Sequence, residues 1–185
     1  MMTIYRTDDQ VIHEEKKIGD GVWIQMINPT HEECEEIAEQ LMVDIEDIKA
    51  ALDEEESSRI ELQDGYTLIL VDIPTIEIRH EKRVYTTVPL GIILTQDVIV
   101  TVCTEDTMIL QTFIHNRVKE FSTKKKLRFV YQILFRATAN YQANLRSIDK
   151  RRTEIEGRVG ESTDDSDLID LHELESTLGY FATSL

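Results

Sequence analysis

Two groups of side chains in this sequence have the types and spacing for chemistry, and in both cases that chemistry is metal binding. Asp44, Glu46 and Asp47 fall within four residues, and Asp53-Glu54-Glu55-Glu56 follows just beyond. Hard divalent cations take oxygen ligands, so carboxylates at this density can attract one. A charge run is also the ordinary pattern of a solvated face, and the residues alone leave both readings open. The second group is His31, Cys34 and Glu35, whose i, i+3, i+4 spacing would put three ligand types on one side of a helix. Cys34 falls on an apolar stripe, however, and His31 and Glu35 fall near a helix start. A capped surface helix accounts for all three better than a metal centre does. No GxSxG, HExxH, GxGxxG or phosphate-cradling GxxxxGK[ST] occurs, so no enzyme is expected.

Charge narrows the partners. The net charge is -16, with 5 basic and 19 acidic residues in 1–64 but 10 basic and 3 acidic in 122–160. A chain this acidic repels phosphate backbones, and its one basic segment lies between acidic ones, so nucleic acid is not an expected partner. With 185 residues, 41% of them hydrophobic, the chain can bury a real core. Cys34 and Cys103 have no CxxC spacing and read as reduced core thiols of a cytosolic protein. The N-terminus lacks a signal-peptide pattern, and no apolar run approaches the roughly 18 to 20 residues that span a bilayer.

Periodicity gives the elements that must position these groups. Residues 2–6 and 21–27 alternate at period two and predict strands. Thr30 with Glu33 forms a capping box, and Cys34, Ile37, Ala38, Leu41 and Met42 recur behind it at helical spacing. Asp44 reads as the N-cap of a second, short helix with Ile45, Ile48 and Leu52 inward. Asp47 is then its third residue, where a carboxylate suits the helix dipole. Asp64-Gly65 predicts a hairpin turn between 60–62 and 66–73, and Gln96-Asp97 a turn between 90–94 and 98–102. Pro74 is expected to end one strand and Pro89 to start the next. Continuous apolar runs in these strands call for helices on both faces of the sheet.

After Thr107 a helix carries Leu110, Phe113, Ile114 and Val118. The longest helix, 123–156, carries a seam of Leu127, Val130, Leu134, Tyr141, Leu145, Ile148 and Ile155, with Arg152 on the same line. Gly157, Gly160 and 161–166 read as a polar connection. Leu171, Leu174, Leu178, Phe181 and Leu185 then restart the seam, which predicts an antiparallel helical hairpin. The expected fold class is α/β: a three-layer α/β/α sandwich with a mixed, largely antiparallel sheet over 1–121, followed by a long helical hairpin over 122–185.

This order of segments resembles the cytoplasmic domain of CorA-like divalent-cation channels. The resemblance rests on the charged helix ending at 144–156, the helix from Leu171 to Leu185, the hairpins ending in Leu94-Thr95-Gln96-Asp97-Val98, and Ile45-Glu46-Asp47-Ile48-Lys49. The last of these is similar to a Leu-Glu-Asp-Ile-Leu type motif of the family. The match covers nearly the whole chain, and its specificity lies in segment order rather than in one motif. The last helix runs to Leu185 with no Gly, Asn or Pro to stop it, so the chain reads as cut. Full-length members continue into a stalk helix and two transmembrane helices, with Gly-Met-Asn ending the first.

The resemblance implies a regulatory domain of a Mg2+ channel at the cytoplasmic face of the membrane, homopentameric in the full-length protein, with Mg2+ (or Co2+, Ni2+ or Zn2+) as regulatory or transported ion. It implies Asp47 as an intersubunit regulatory ligand with Glu46 as second contributor. Asn140 stands near an acid of some relatives, which weakens a secondary ion site. The isolated chain is expected to be monomeric or weakly dimeric without divalent ions. Two alternatives share the fold: a domain of a ZntB-like zinc transporter, and a soluble oligomerisation or binding module.

Overall fold

A computed structural model of the protein describes every residue except 80, 81, 160–164 and 185. The element order is β1 (Met2–Asp8), β2 (Val11–Glu15), β3 (Trp23–Ile27), α1 (His31–Leu41), α2 (Ile45–Lys49), a 3-10 turn (Ala50–Leu52), β4 (Arg59–Leu62), β5 (Tyr66–Arg79), β6 (Lys82–Thr95), β7 (Ile99–Cys103), α3 (Met108–Ile114), α4 (Lys126–Val159) and α5 (Asp165–Ser184). The strands form one seven-stranded sheet in the order β2-β1-β3-β7-β6-β5-β4. Among the registers described, β3 against β7 is parallel and the other pairs are antiparallel, giving the mixed sheet expected.

The chain divides into two compact units, Met1–Asp72 with Val88–Arg136, and Ile73–Thr87 with Ala137–Leu185. In the first unit, successive strand residues face opposite sides, and each side has its own core. Ile24, Met26, Val100 and Val102 point to one side, where Cys34 and Ile37 of α1, Ile48 of α2 and Ala51 cover them. Trp23 points to the other, where its ring meets Phe129 of α4 at 5.0 Å and Phe121 at 6.3 Å, with Phe113 of α3 completing the cluster. The Trp23 indole N–H donates to Thr101 Oγ1 at 2.8 Å, so the polar edge of this fully buried ring is satisfied. Helices on both faces make the three layers that the apolar strands require. Gly91 of β6 is fixed by this packing: a Cβ there would come within 2.7 Å of the Ala51 side chain.

In the second unit, Tyr141, Ile148 and Ile155 of α4 form a core with Leu174 and Phe181 of α5, and Tyr85 packs against it. Tyr141 meets Phe181 edge to face at 5.0 Å, while Arg151, further along α4, bonds Asp170, further back along α5, at 3.2 Å. These pairs run in opposite directions, so the hairpin is antiparallel.

Several expectations need correction. β2 was not anticipated: Asp9 and Gln10 make its turn at φ 48° and 68° without the glycine that ordinarily marks such a turn. β5 and β6 each run 14 residues, straight past Pro74 and Pro89, because extended backbone tolerates proline's φ wherever its missing N–H is not needed. Val118 lies beyond α3, which ends at Ile114. Met42 is the left-handed C-cap of α1 and is exposed, and Leu127 of α4 is 78% exposed. The inward stripe of α4 in the first unit is instead Phe129, Val130 and Ile133. Arg152 is exposed, and Arg151 takes the ion pair to α5. Of the polar connection, Gly157 belongs to α4 and Asp165 and Ser166 to α5, while 160–164 lie outside the described residues.

Candidate cation site

The acid cluster is built around the start of α2. Asp44 is its N-cap, and its Oδ1 accepts the Glu46 backbone N–H at 2.9 Å. Ile48, fully buried, anchors the short helix on the sheet and thereby fixes which way its first turn faces. Asp47 is half-buried, and its Oδ2 accepts a 2.6 Å hydrogen bond from the Tyr66 hydroxyl at the start of β5. The same phenol oxygen accepts the Asp44 backbone N–H at 3.1 Å. Tyr66 therefore clasps both ends of the first turn of α2. Burial first, and then the Asp47 carboxylate it serves, raise the Tyr66 pKa above the ordinary phenol value. The Glu46 side chain is 74% exposed and meets Lys49 Nζ at 3.0 Å.

The two predicted ligands are adjacent but differ in character: Asp47 is held by a neutral donor, and Glu46 is exposed and paired with Lys49. Tyr66 was not anticipated as part of this site. Nineteen residues and a hairpin separate it from Asp47, and no spacing rule reaches that far. Beside the cluster, Pro29, His31, Cys34, Lys49, Leu52, Asp53 and Glu54 line a shallow cavity of about 500 Å³.

His31, Cys34 and Glu35 do not converge. His31 Nε2 and Glu35 Oε1 lie 3.2 Å apart on the surface, whereas Cys34 is buried in the core beneath. Among the described residues, no three His, Cys, Asp or Glu side chains are grouped so as to hold a metal ion within one chain. Burial raises the pKa of the Cys34 thiol and pushes that of Cys103 up to about 11, so both are poor thiolates at neutral pH. A larger cavity, about 670 Å³, lies in the first unit between the β1–β2 turn and the start of α4. Three cations (Lys124, Lys125, Arg128) and three acids (Asp8, Asp9, Glu120) line it, so its charge balances.

Comparison with known proteins decides the family. The model of the family described as CorA-like Mg2+ transporter protein matches residues 19–185. The chain belongs to that family. The cobalt/magnesium transport protein CorA of Methanocaldococcus jannaschii is 24% identical over 186 residues, which cover 96% of this chain and 55% of that protein. The chain thus spans about half the length of this curated CorA relative. Its fold matches the soluble domain of M. jannaschii CorA with a TM-score of 0.84 at 22% identity, over 100% of this chain and 74% of that one. The complete M. jannaschii CorA transporter matches at 0.82 and 22%, over 100% and 59%. The ZntB cytoplasmic domain of Vibrio parahaemolyticus matches at 0.68 and 12%, over 98% and 75%. The chain is therefore a CorA-like soluble-domain fold. Among its described residues no helix is long and apolar enough to cross a membrane.

Proposed function

We propose that this chain is the cytoplasmic regulatory domain of a CorA-like Mg2+ transporter, in which Asp47, with Glu46, binds a divalent cation at the contact between neighbouring subunits. The observation that carries the reading is the geometry at α2 in a chain of this family: a carboxylate pair on the first turn, one member oriented by Tyr66 and the other exposed. Two carboxylates from one chain are too few for a closed cage. They suit an ion that keeps several of its waters and is shared with a second subunit. In the proposed homopentamer, carboxylates facing one another repel until the cation neutralises them, so bound ion holds the ring closed and its loss favours opening. The transported ion, Mg2+ or Co2+, crosses through membrane segments of the full-length transporter; among the described residues here no helix is long and apolar enough to be one.

The test is Asp47→Ala in a full-length transporter carrying this domain. Closure by internal Mg2+ should weaken, with a higher Mg2+ concentration needed for half-inhibition. Unchanged inhibition removes Asp47 from the mechanism.

A further inference from the structure

The two carboxylates at the start of α2 are kept in different ways. Residues 32–56 hold twelve acids and one lysine, and that one cation, Lys49, goes to the exposed Glu46 at 3.0 Å. Asp47 is served instead by a neutral group, the Tyr66 hydroxyl, which donates to its Oδ2 at 2.6 Å. A phenol orients a carboxylate without neutralising it, so Asp47 keeps its charge for a cation. An ammonium or guanidinium in the same place would cancel that charge.

The phenol is not free to turn away. Its ring packs against the core under α1 and α2, and its oxygen already accepts the Asp44 backbone N–H at 3.1 Å, so its single hydrogen is committed to Asp47. α2 is anchored in turn by the fully buried Ile48. Both ends of the 2.6 Å bond are thus fixed by the core. Among the described residues no other group bonds the Asp47 carboxylate, so Oδ2 is engaged and Oδ1 is open.

This asymmetry matters because hard cations differ in what they ask of a carboxylate. Mg2+ demands an octahedron at about 2.0–2.1 Å, keeps several waters and is bound through one or two carboxylates. Ca2+ takes about six to eight oxygens at about 2.3–2.6 Å and readily uses both oxygens of one carboxylate. A carboxylate with one oxygen held by a donor offers the single oxygen that suits the smaller ion. To gain the second oxygen, the larger ion has to compete with the phenol.

We infer that Tyr66 is the positioning residue that makes the Asp47 site select Mg2+ over Ca2+. The inference rests on the cation site proposed above and names what sets its specificity; Tyr66 acts through Asp47 and does not itself touch the ion.

The test compares the two ions in wild type and three variants. Half-saturating concentrations of Mg2+ and Ca2+ are read from the rise each ion produces in the urea midpoint of Trp23 fluorescence, every protein being measured against its own baseline in EDTA. Wild type should respond to Mg2+ at lower concentration than to Ca2+. Tyr66→Phe should weaken Mg2+ by about tenfold, the usual cost of removing a group that orients a ligand. Ca2+ gains the released Oδ2, so the preference should move toward Ca2+ by about tenfold or more. Thr30→Ala, which lowers stability in the same unit without touching Asp47, should keep the wild-type preference. A wild type that prefers Ca2+, a Tyr66→Phe protein with the wild-type preference, or a Thr30→Ala protein whose preference moves as far as that of Tyr66→Phe overturns the inference and leaves the cation site standing. A wild type that responds to neither ion, or a response that persists unchanged in Asp47→Ala, overturns both.

Discussion

The Tyr66 clasp makes a quantitative claim. Tyr66→Phe keeps the ring and removes one oxygen, which donates to Asp47 at 2.6 Å and accepts from the Asp44 backbone N–H at 3.1 Å. A hydrogen bond to a charged group contributes about 1.5–3 kcal/mol and a neutral one about 0.5–1.5. Asp44 is exposed and Asp47 half-buried, so water can reach the groups left behind and repair part of the loss. The expected cost is therefore about 1–2 kcal/mol. Urea unfolding followed by Trp23, the single tryptophan and fully buried in the same unit, reads that unit directly. At a slope of about 2 kcal/mol per molar, the midpoint should fall by roughly 0.5–1 M. Tyr66→Phe and Asp47→Asn should be sub-additive by about 1 kcal/mol, because they remove one shared interaction. The raised phenol pKa adds a signature: the contribution is fully present below the unfolded phenol pKa and is lost as pH rises through the higher folded value. Wild type should thus lose stability relative to Tyr66→Phe above about pH 10. An unchanged midpoint, or strict additivity with Asp47→Asn, would refute the clasp.

Other substitutions test the frame around the site. Thr30→Ala removes the hydroxyl that accepts the Glu33 N–H at 3.2 Å and should cost about 1 kcal/mol by the same urea assay. Glu33 is held below the usual carboxylate range, chiefly by the Thr30 backbone N–H, so its stabilisation is present above the unfolded pKa and lost as pH falls through the folded one. Glu33→Gln should therefore flatten the stability profile on its acid side, read as urea midpoints below neutral pH. Gly91→Ala drives a methyl into the Ala51 side chain and should cost about 1–3 kcal/mol, with Trp23 fluorescence reporting the loss. Phe181→Ala removes the ring that closes the helical hairpin and should cost about 3 kcal/mol locally, seen as earlier melting of helical circular dichroism.

Local chemistry was legible in the sequence wherever neighbours along the chain decide the outcome. The Thr30–Glu33 capping box, the Asp44 N-cap and the Asp64-Gly65 turn, with Gly65 at φ 87°, are each a bargain among residues within four positions. The layered fold followed from the apolar strands, which have no solvent face. What escaped depends on distant partners. Leu127 fits the seven-residue spacing of the long helix, yet the aromatic cluster of Trp23, Phe113 and Phe121 draws Phe129 inward and turns Leu127 out. Spacing alone could not rank those two faces. β2 lacked its glycine, and Pro74 and Pro89 were read as boundaries because a sequence does not show which strand N–H groups need partners. At the site, the acids could be found by density and family resemblance, but Tyr66, the residue that orients one of them, could be found only in three dimensions.

The central claim is that Asp47 binds a divalent cation shared between copies of this chain. The most direct measurement is sedimentation of wild type and Asp47→Ala in EDTA and in millimolar Mg2+. The account predicts that Mg2+ increases assembly of wild type and that this increment disappears in Asp47→Ala. An increment of equal size in both proteins, or none in wild type, would contradict it.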